Sequence, residues 1–182
     1  MVFGALLAWA GLSPVPAFAQ QDSGYTWGAF VQAGTSEHDS RQLTLGAQLP
    51  WSQHWRLGSG DLTGYWDFSL SRWTYPEDAD RRHGLLTQIG ATPTLRWSPG
   101  GWVGTTFFEV GVGATLMSDL YRTNGKRFST RFNFGSHLGI GWPLDEKRAQ
   151  ELIVRVEHFS NAGIRHPNPG ENFLQLRYVH RF

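Results

Sequence analysis

His158 and Ser160 stand two residues apart near the C-terminus, as His158-Phe159-Ser160. On a strand that spacing puts both side chains on one face, roughly 7 Å apart along the chain. A serine hydroxyl becomes an effective nucleophile when a neighbouring imidazole takes its proton. The imidazole in turn needs a partner that fixes its tautomer and supports the imidazolium. If 151–160 and 172–182 form a hairpin, folding its connection about residue 166 brings Glu171 close to Ser160 and Asn161, because paired strands lie about 4.8 Å apart. Acyl transfer also requires donors for an oxyanion. The Asn161 side chain and the backbone N–H groups around Ala162 and Gly163 directly follow the serine, and Gly163 lets the chain turn them inward. Together these residues could hydrolyse an ester through an acyl-enzyme. Taken alone, a His and a Ser at a strand end equally mark where an apolar surface stops.

The elements that would carry them show a period of two, the strand signal. Leu43, Leu45, Ala47 and Leu49 share one face; Phe108, Val110, Val112, Ala114 and Leu116 share another; Leu152, Val154 and Val156 lead into His158 and Ser160. Eight strands are predicted, at 26–36, 40–50, 64–74, 84–97, 104–116, 131–142, 151–160 and 172–182. Strands of about ten residues match tilted membrane strands. Their second face is rich in Gly and charged residues, as expected for the lining of a narrow barrel. Arg131, Arg155, Glu109 and Glu157 are expected there as ion pairs filling the interior. Trp27, Trp51, Trp73, Tyr75, Trp97, Trp102 and Trp142 lie near strand ends and suggest aromatic girdles. A soluble lipocalin-like barrel is the competing architecture. The terminal Phe182, on the face of Leu174, Leu176 and Tyr178, and the even strand count favour an all-β, eight-stranded antiparallel transmembrane β-barrel of the outer membrane. The His158–Ser160 pair then sits at the outer end of a lipid-facing stripe.

The 182 residues suit one domain, and a formal net charge of +1 gives no reason to expect nucleic acid as a partner. With no cysteine, disulfides and thiolate metal sites are excluded. Residues 2–12 are apolar and Ala17-Phe18-Ala19 offers an A-x-A cleavage site, so residues 1–19 read as a signal peptide and 20–182 as the barrel domain. No Lys or Arg precedes the apolar run, which departs from the usual pattern.

The stretch His158-Phe159-Ser160-Asn161-Ala162-Gly163-Ile164, followed by Pro167-Asn168-Pro169-Gly170-Glu171-Asn172-Phe173, resembles the C-terminal signature of the lipid A 3-O-deacylase (PagL-type) family. The resemblance implies an eight-stranded outer-membrane barrel with a Ser-His-Glu triad on its exterior. It implies hydrolysis of the ester at position 3 of lipid A, with release of a 3-hydroxy fatty acid and no cofactor. Carried over residue by residue, Ser160 is the nucleophile, His158 the general base and acid, and Asn161 and Gly163 the oxyanion site. The acid is Glu171 or, if the family position falls one residue later, the amide of Asn172; Glu171 is favoured as the carboxylate. The expected partners are lipid A or lipopolysaccharide and the outer membrane, with a homodimer left open.

His38, His54, His83, His137, His166 and His180 show no metal-ligand spacing, so no metal is expected. Arg122, Lys126, Arg127 and Arg165 fall in predicted outer loops, as solvated charge or as partners for lipid A phosphates. Two other readings compete: a non-catalytic structural or adhesion barrel, and another outer-membrane lipid enzyme such as a phospholipase or palmitoyl transferase.

Overall fold

The computed structural model describes residues 25–77, 83–99, 106–123 and 125–182. The expected signal peptide and Trp102 lie outside them. Eleven strands run in order: β1 (Gly28–Ser36), β2 (Arg41–Pro50), β3 (Trp55–Leu57), β4 (Gly60–Pro76), β5 (His83–Ser98), β6 (Phe107–Met117), β7 (Arg122–Thr123), β8 (Lys126–Arg127), β9 (Phe132–Pro143), β10 (Gln150–Ser160) and β11 (Glu171–Arg181). β1, β2, β4, β5, β6, β9, β10 and β11 pair antiparallel in sequence order, and β11 pairs β1, which closes the ring. Closure leaves no long unpaired edge in a medium that offers no hydrogen bonds. β3 is a short flap on β4, and β7 and β8 form a small hairpin between β6 and β9. The eight expected strands are all present, most displaced at their ends by only a few residues.

The alternation divides the chain as an inverted protein. Leu43, Leu45, Leu70, Ile89, Val112, Leu138, Val156 and Leu174 point outward and are each more than half exposed. Gln32, Asp67, Arg96, Glu109, Arg155 and Arg177 are buried inside. Charges in so narrow a lumen must be paired. Arg96 donates to Glu109 at 2.7 Å and to Glu151 at 2.8 Å, and Asp67 accepts from Arg177 and Arg155. One polar cavity of about 20 Å³ lies among Gln32, Asp67, Arg155 and Arg177, room for a water molecule. The expectation of interior ion pairs holds for Arg155 and Glu109. Arg131 differs: it is exposed at the strand end, its Nε donating to the Met117 carbonyl at 2.7 Å.

The start of the described residues and the C-terminal Phe182 meet at one rim, where Phe182 accepts from the Thr26 N–H at 2.8 Å and donates to Trp27 at 2.9 Å. Trp27 stacks on Phe182 there, ring centroids 4.5 Å apart. The aromatic girdle fails for two residues. Trp73 and Tyr75 point inward and, with Leu86, Met117, Tyr121, Phe128, Phe159 and Phe173, form an apolar plug under the opposite rim. β10 ends at that opposite rim, beside this plug.

Candidate active site

The plug sets the orientation of the candidate residues. Phe159 is buried against Trp73, with ring centroids 4.9 Å apart, and against Phe173 at 5.9 Å. Burying Phe159 forces its neighbours His158 and Ser160 onto the outer face, because side chains alternate along a strand. The ladder pairs His158 with Ser136 on β9 and Asn172 on β11, and Ser160 with Phe134 on β9. His158 is exposed and Ser160 half-exposed, at the boundary where the apolar exterior ends.

Asn172 is the partner of His158. The imidazole Nδ1 lies 2.7 Å from Asn172 Oδ1. An amide oxygen only accepts, so Nδ1 carries the hydrogen and Nε2 keeps its lone pair, the tautomer a general base requires. Gly170 makes room for the ring: a Cβ there would stand 2.5 Å from His158 Cε1 and 3.0 Å from Nε2. Gly170 also has φ of +65°, which other residues adopt at a cost. Continuing the ladder one step past Phe159↔Glu171 sets Gly170 across from Ser160, so Nε2 leans toward the serine's level. Ser160 and His158 form no direct hydrogen bond here, but two side chains on one face at this spacing can reach each other by rotation.

Glu171 is not where the sequence reading favoured it. It pairs with the inward Phe159 and is fully buried inside the barrel. Tyr121 donates to its Oε2 at 3.2 Å, His38 Nδ1 lies 3.2 Å from its Oε1, and Lys126 Nζ is 3.5 Å away. Burial raises the Tyr121 phenol well above its ordinary range, so it stays a donor. The physical reason for this placement is parity. Neighbouring residues on a strand face opposite sides, and one face carries Glu171 while the other carries Asn172. Glu171, His38 and Glu37 also bring three ligating groups together, but Lys126 already reaches both carboxylates, at 3.3 and 3.5 Å.

Asn161 and Gly163 follow Ser160 as expected, but their donors are engaged within the loop. Asn161 Nδ2 donates to Ser129 Oγ at 3.0 Å and to the Arg165 carbonyl at 2.8 Å; Asn161 Oδ1 accepts the Gly163 N–H at 3.0 Å. Asn161 is thus a buried pin for the connection 161–170. Two other groups stand close to the serine. The Ala162 N–H makes no hydrogen bond to a described residue, and Ala162 has φ of 51°. Asn168, which the sequence reading passed over, accepts the Asn161 N–H on its Oδ1 at 3.0 Å, which brings its amide beside the serine end of β10. No spacing rule marks Asn168, since a fold in the loop places it. Of the outer-loop cations, Lys126 is tied to Glu37 and Glu171, and the Arg165 backbone carbonyl helps hold the loop.

A sequence model of the lipid A 3-O-deacylase (PagL) family matches residues 40–181, a span that includes every residue of this site. The chain belongs to that family. The lipid A deacylase PagL of Bordetella bronchiseptica is 35% identical over 158 residues, covering 85% of this chain and 83% of that protein. The lipid A deacylase PagL of Pseudomonas aeruginosa is 29% identical over 146 residues, covering 80% of each. The crystal structure of the outer membrane enzyme PagL is similar at a TM-score of 0.70 and 24% identity, covering 85% of this chain and 99% of that one, a likeness that carries the fold. An apolar-banded barrel of this family is an outer-membrane protein of a Gram-negative cell, so the rim bearing His158 and Ser160, opposite Thr26 and Phe182, is the extracellular one.

Proposed function

We propose that this chain hydrolyses the 3-O-linked acyl ester of lipid A in the outer leaflet, with Ser160 as nucleophile and His158 as general base and then acid. The observation that carries the reading is the outward His158–Ser160 pair, its imidazole held through Nδ1 by Asn172 at 2.7 Å, at the lipid boundary of a PagL-family barrel. His158 Nε2 takes the Ser160 proton as Oγ attacks the ester carbonyl. The Ala162 N–H and the Asn168 amide, both at the serine end of β10, serve as donors to the developing oxyanion. Collapse expels the sugar hydroxyl, which takes the proton from His158. Water then cleaves the acyl-enzyme by the same route and releases a 3-hydroxy fatty acid. Asn172 orients the imidazole without a charge, so this site departs from the Ser-His-Glu pattern that the family resemblance implies.

The residues named come from β10, β11 and their connection, so a single chain carries all of them. The test is to incubate the purified barrel with lipid A in mixed micelles containing a palmitoyl phospholipid and identify the products. Release of a 3-hydroxy fatty acid supports the reading. Transfer of palmitate onto lipid A, or cleavage of phospholipids alone, would overturn it.

A further inference from the structure

We propose that the outer face of β2, β4, β5 and β6 holds a second lipid seat, for one acyl chain and the phosphate of a phosphorylated outer-leaflet lipid. The face carries an open apolar trough of roughly 710 Å³. Ala91 and Ala114, opposite each other on β5 and β6, are too short to fill the outer surface beside the taller Leu70, Ile89 and Leu116. The result is a furrow in a surface otherwise studded with large side chains, and a flexible hydrocarbon chain suits such a furrow.

Two cations stand beyond its extracellular end. Arg72 lies two residues past Leu70 on the same outward stripe, and Arg41 occupies the corresponding stripe of β2 beyond Leu45 and Leu43. Arg41 pairs with Thr74 and Leu43 with Arg72, so the two arginines are diagonal neighbours on adjacent strands. Both are exposed, and neither forms an ion pair with a described residue. Arg72 Nη1 donates to Thr87 Oγ1 at 2.9 Å, which steadies the side chain and leaves its other donors free. An unpaired arginine on a lipid-facing stripe is costly at the bilayer midplane and nearly free of cost at the interface. These two therefore mark headgroup depth, and a planar guanidinium there matches a phosphate. An apolar furrow leading up to two unpaired arginines is complementary to a phosphorylated acyl lipid. A zwitterionic lipid would use the furrow and gain less from the cations. The seat is centred on β4 and β5, well around the barrel from Ser160 on β10, and it rests on the barrel alone, independent of catalysis.

The experiment places the full chain in phosphatidylcholine nanodiscs with a trace of an ether-linked, non-hydrolysable phosphatidic acid bearing a diazirine in one chain. After illumination, cross-linked peptides are located by mass spectrometry. The expected result is insertion concentrated at 85–91 and 112–116, displaced at least fivefold better by unlabelled phosphatidic acid than by phosphatidylcholine of the same chains. Arg41→Gln with Arg72→Gln should abolish that preference. Ala114→Leu should reduce the labelling itself, while the heat-modifiable gel shift shows the barrel folded. Labelling spread evenly to stripes such as Leu138 and Leu176, or equal displacement by the two lipids, would overturn the proposal. So would chain-to-chain cross-links replacing lipid at this face, since they would make it an interface between copies.

Discussion

Replacing Asn172 tests the neutral orienter most sharply. In Asn172→Ala the 2.7 Å contact to His158 Nδ1 disappears, and no other described residue hydrogen-bonds the ring. The contact matters most when His158 is an imidazolium, because hydrogen bonds to charged groups are worth about 1.5–3 kcal/mol. At 1.36 kcal/mol per tenfold in rate, kcat should fall roughly 10- to 150-fold. KM should change little, since the imidazolium exists only along the reaction. Asn172→Asp keeps the shape and supplies a carboxylate. An exposed ion pair adds up to about 1 kcal/mol to the bond, so kcat should rise by up to about fivefold. An anion beside an imidazole favours its protonated form, so the acidic limb of kcat/KM should move to higher pH in Asn172→Asp. The assay is release of 3-hydroxy fatty acid from lipid A in mixed micelles across pH. Full activity in Asn172→Ala, or Asn172→Asp behaving like Asn172→Ala, would refute the orienter.

Other expected outcomes follow from neighbouring residues. Gly170→Ala places a methyl 2.5 Å from His158 Cε1 and should cost most of the activity while the heat-modifiable gel shift persists, and wild-type rates would show the ring is not confined there. Glu171→Gln should keep activity within a few-fold, because Glu171 bonds Tyr121 and His38 inside the barrel; a loss as deep as that of Ser160→Ala would make it catalytic after all. Asn161→Ala removes the loop pin and should lower kcat while raising protease sensitivity at 161–170, which limited proteolysis reads directly. Trp73→Ala opens a void in the plug and should destabilise the barrel by about 3–5 kcal/mol, measured by urea unfolding in lipid vesicles.

Much of this fold is legible in the chain because a barrel wall is a strict period-two object. Strands such as Phe107–Met117 alternate without a break, so both their existence and their faces can be read. Parity also places His158 and Ser160 outside. Three features differ from the reading by residue type, two of them in keeping with that parity and one beyond it. Trp73 and Tyr75 look like girdle residues by position, but an aromatic on the inward parity of a capped rim goes into the plug. Glu171 and Asn172 differ by one residue, and the parity of Leu174 and Leu176 already puts Asn172 on the outward face of His158, as the ladder pairing His158 with Asn172 does. A carboxylate is the chemically better partner, and that preference favours Glu171 when the sequence is read by residue type. Asn161 and Gly163 have the right identity and place for an oxyanion site, but folding of 161–170 engages their donors internally and brings in Asn168 from seven residues away. Loop closure of that kind leaves no periodic trace.

The most direct test is mass spectrometry of lipid A from Gram-negative cells expressing the wild-type chain, Ser160→Ala or His158→Ala, each confirmed as a folded barrel in the outer membrane. A mass loss equal to one 3-hydroxyacyl chain with the wild type, and intact lipid A with either substitution, is the predicted result. The same mass loss with Ser160→Ala would contradict the nucleophile, and with it the mechanism.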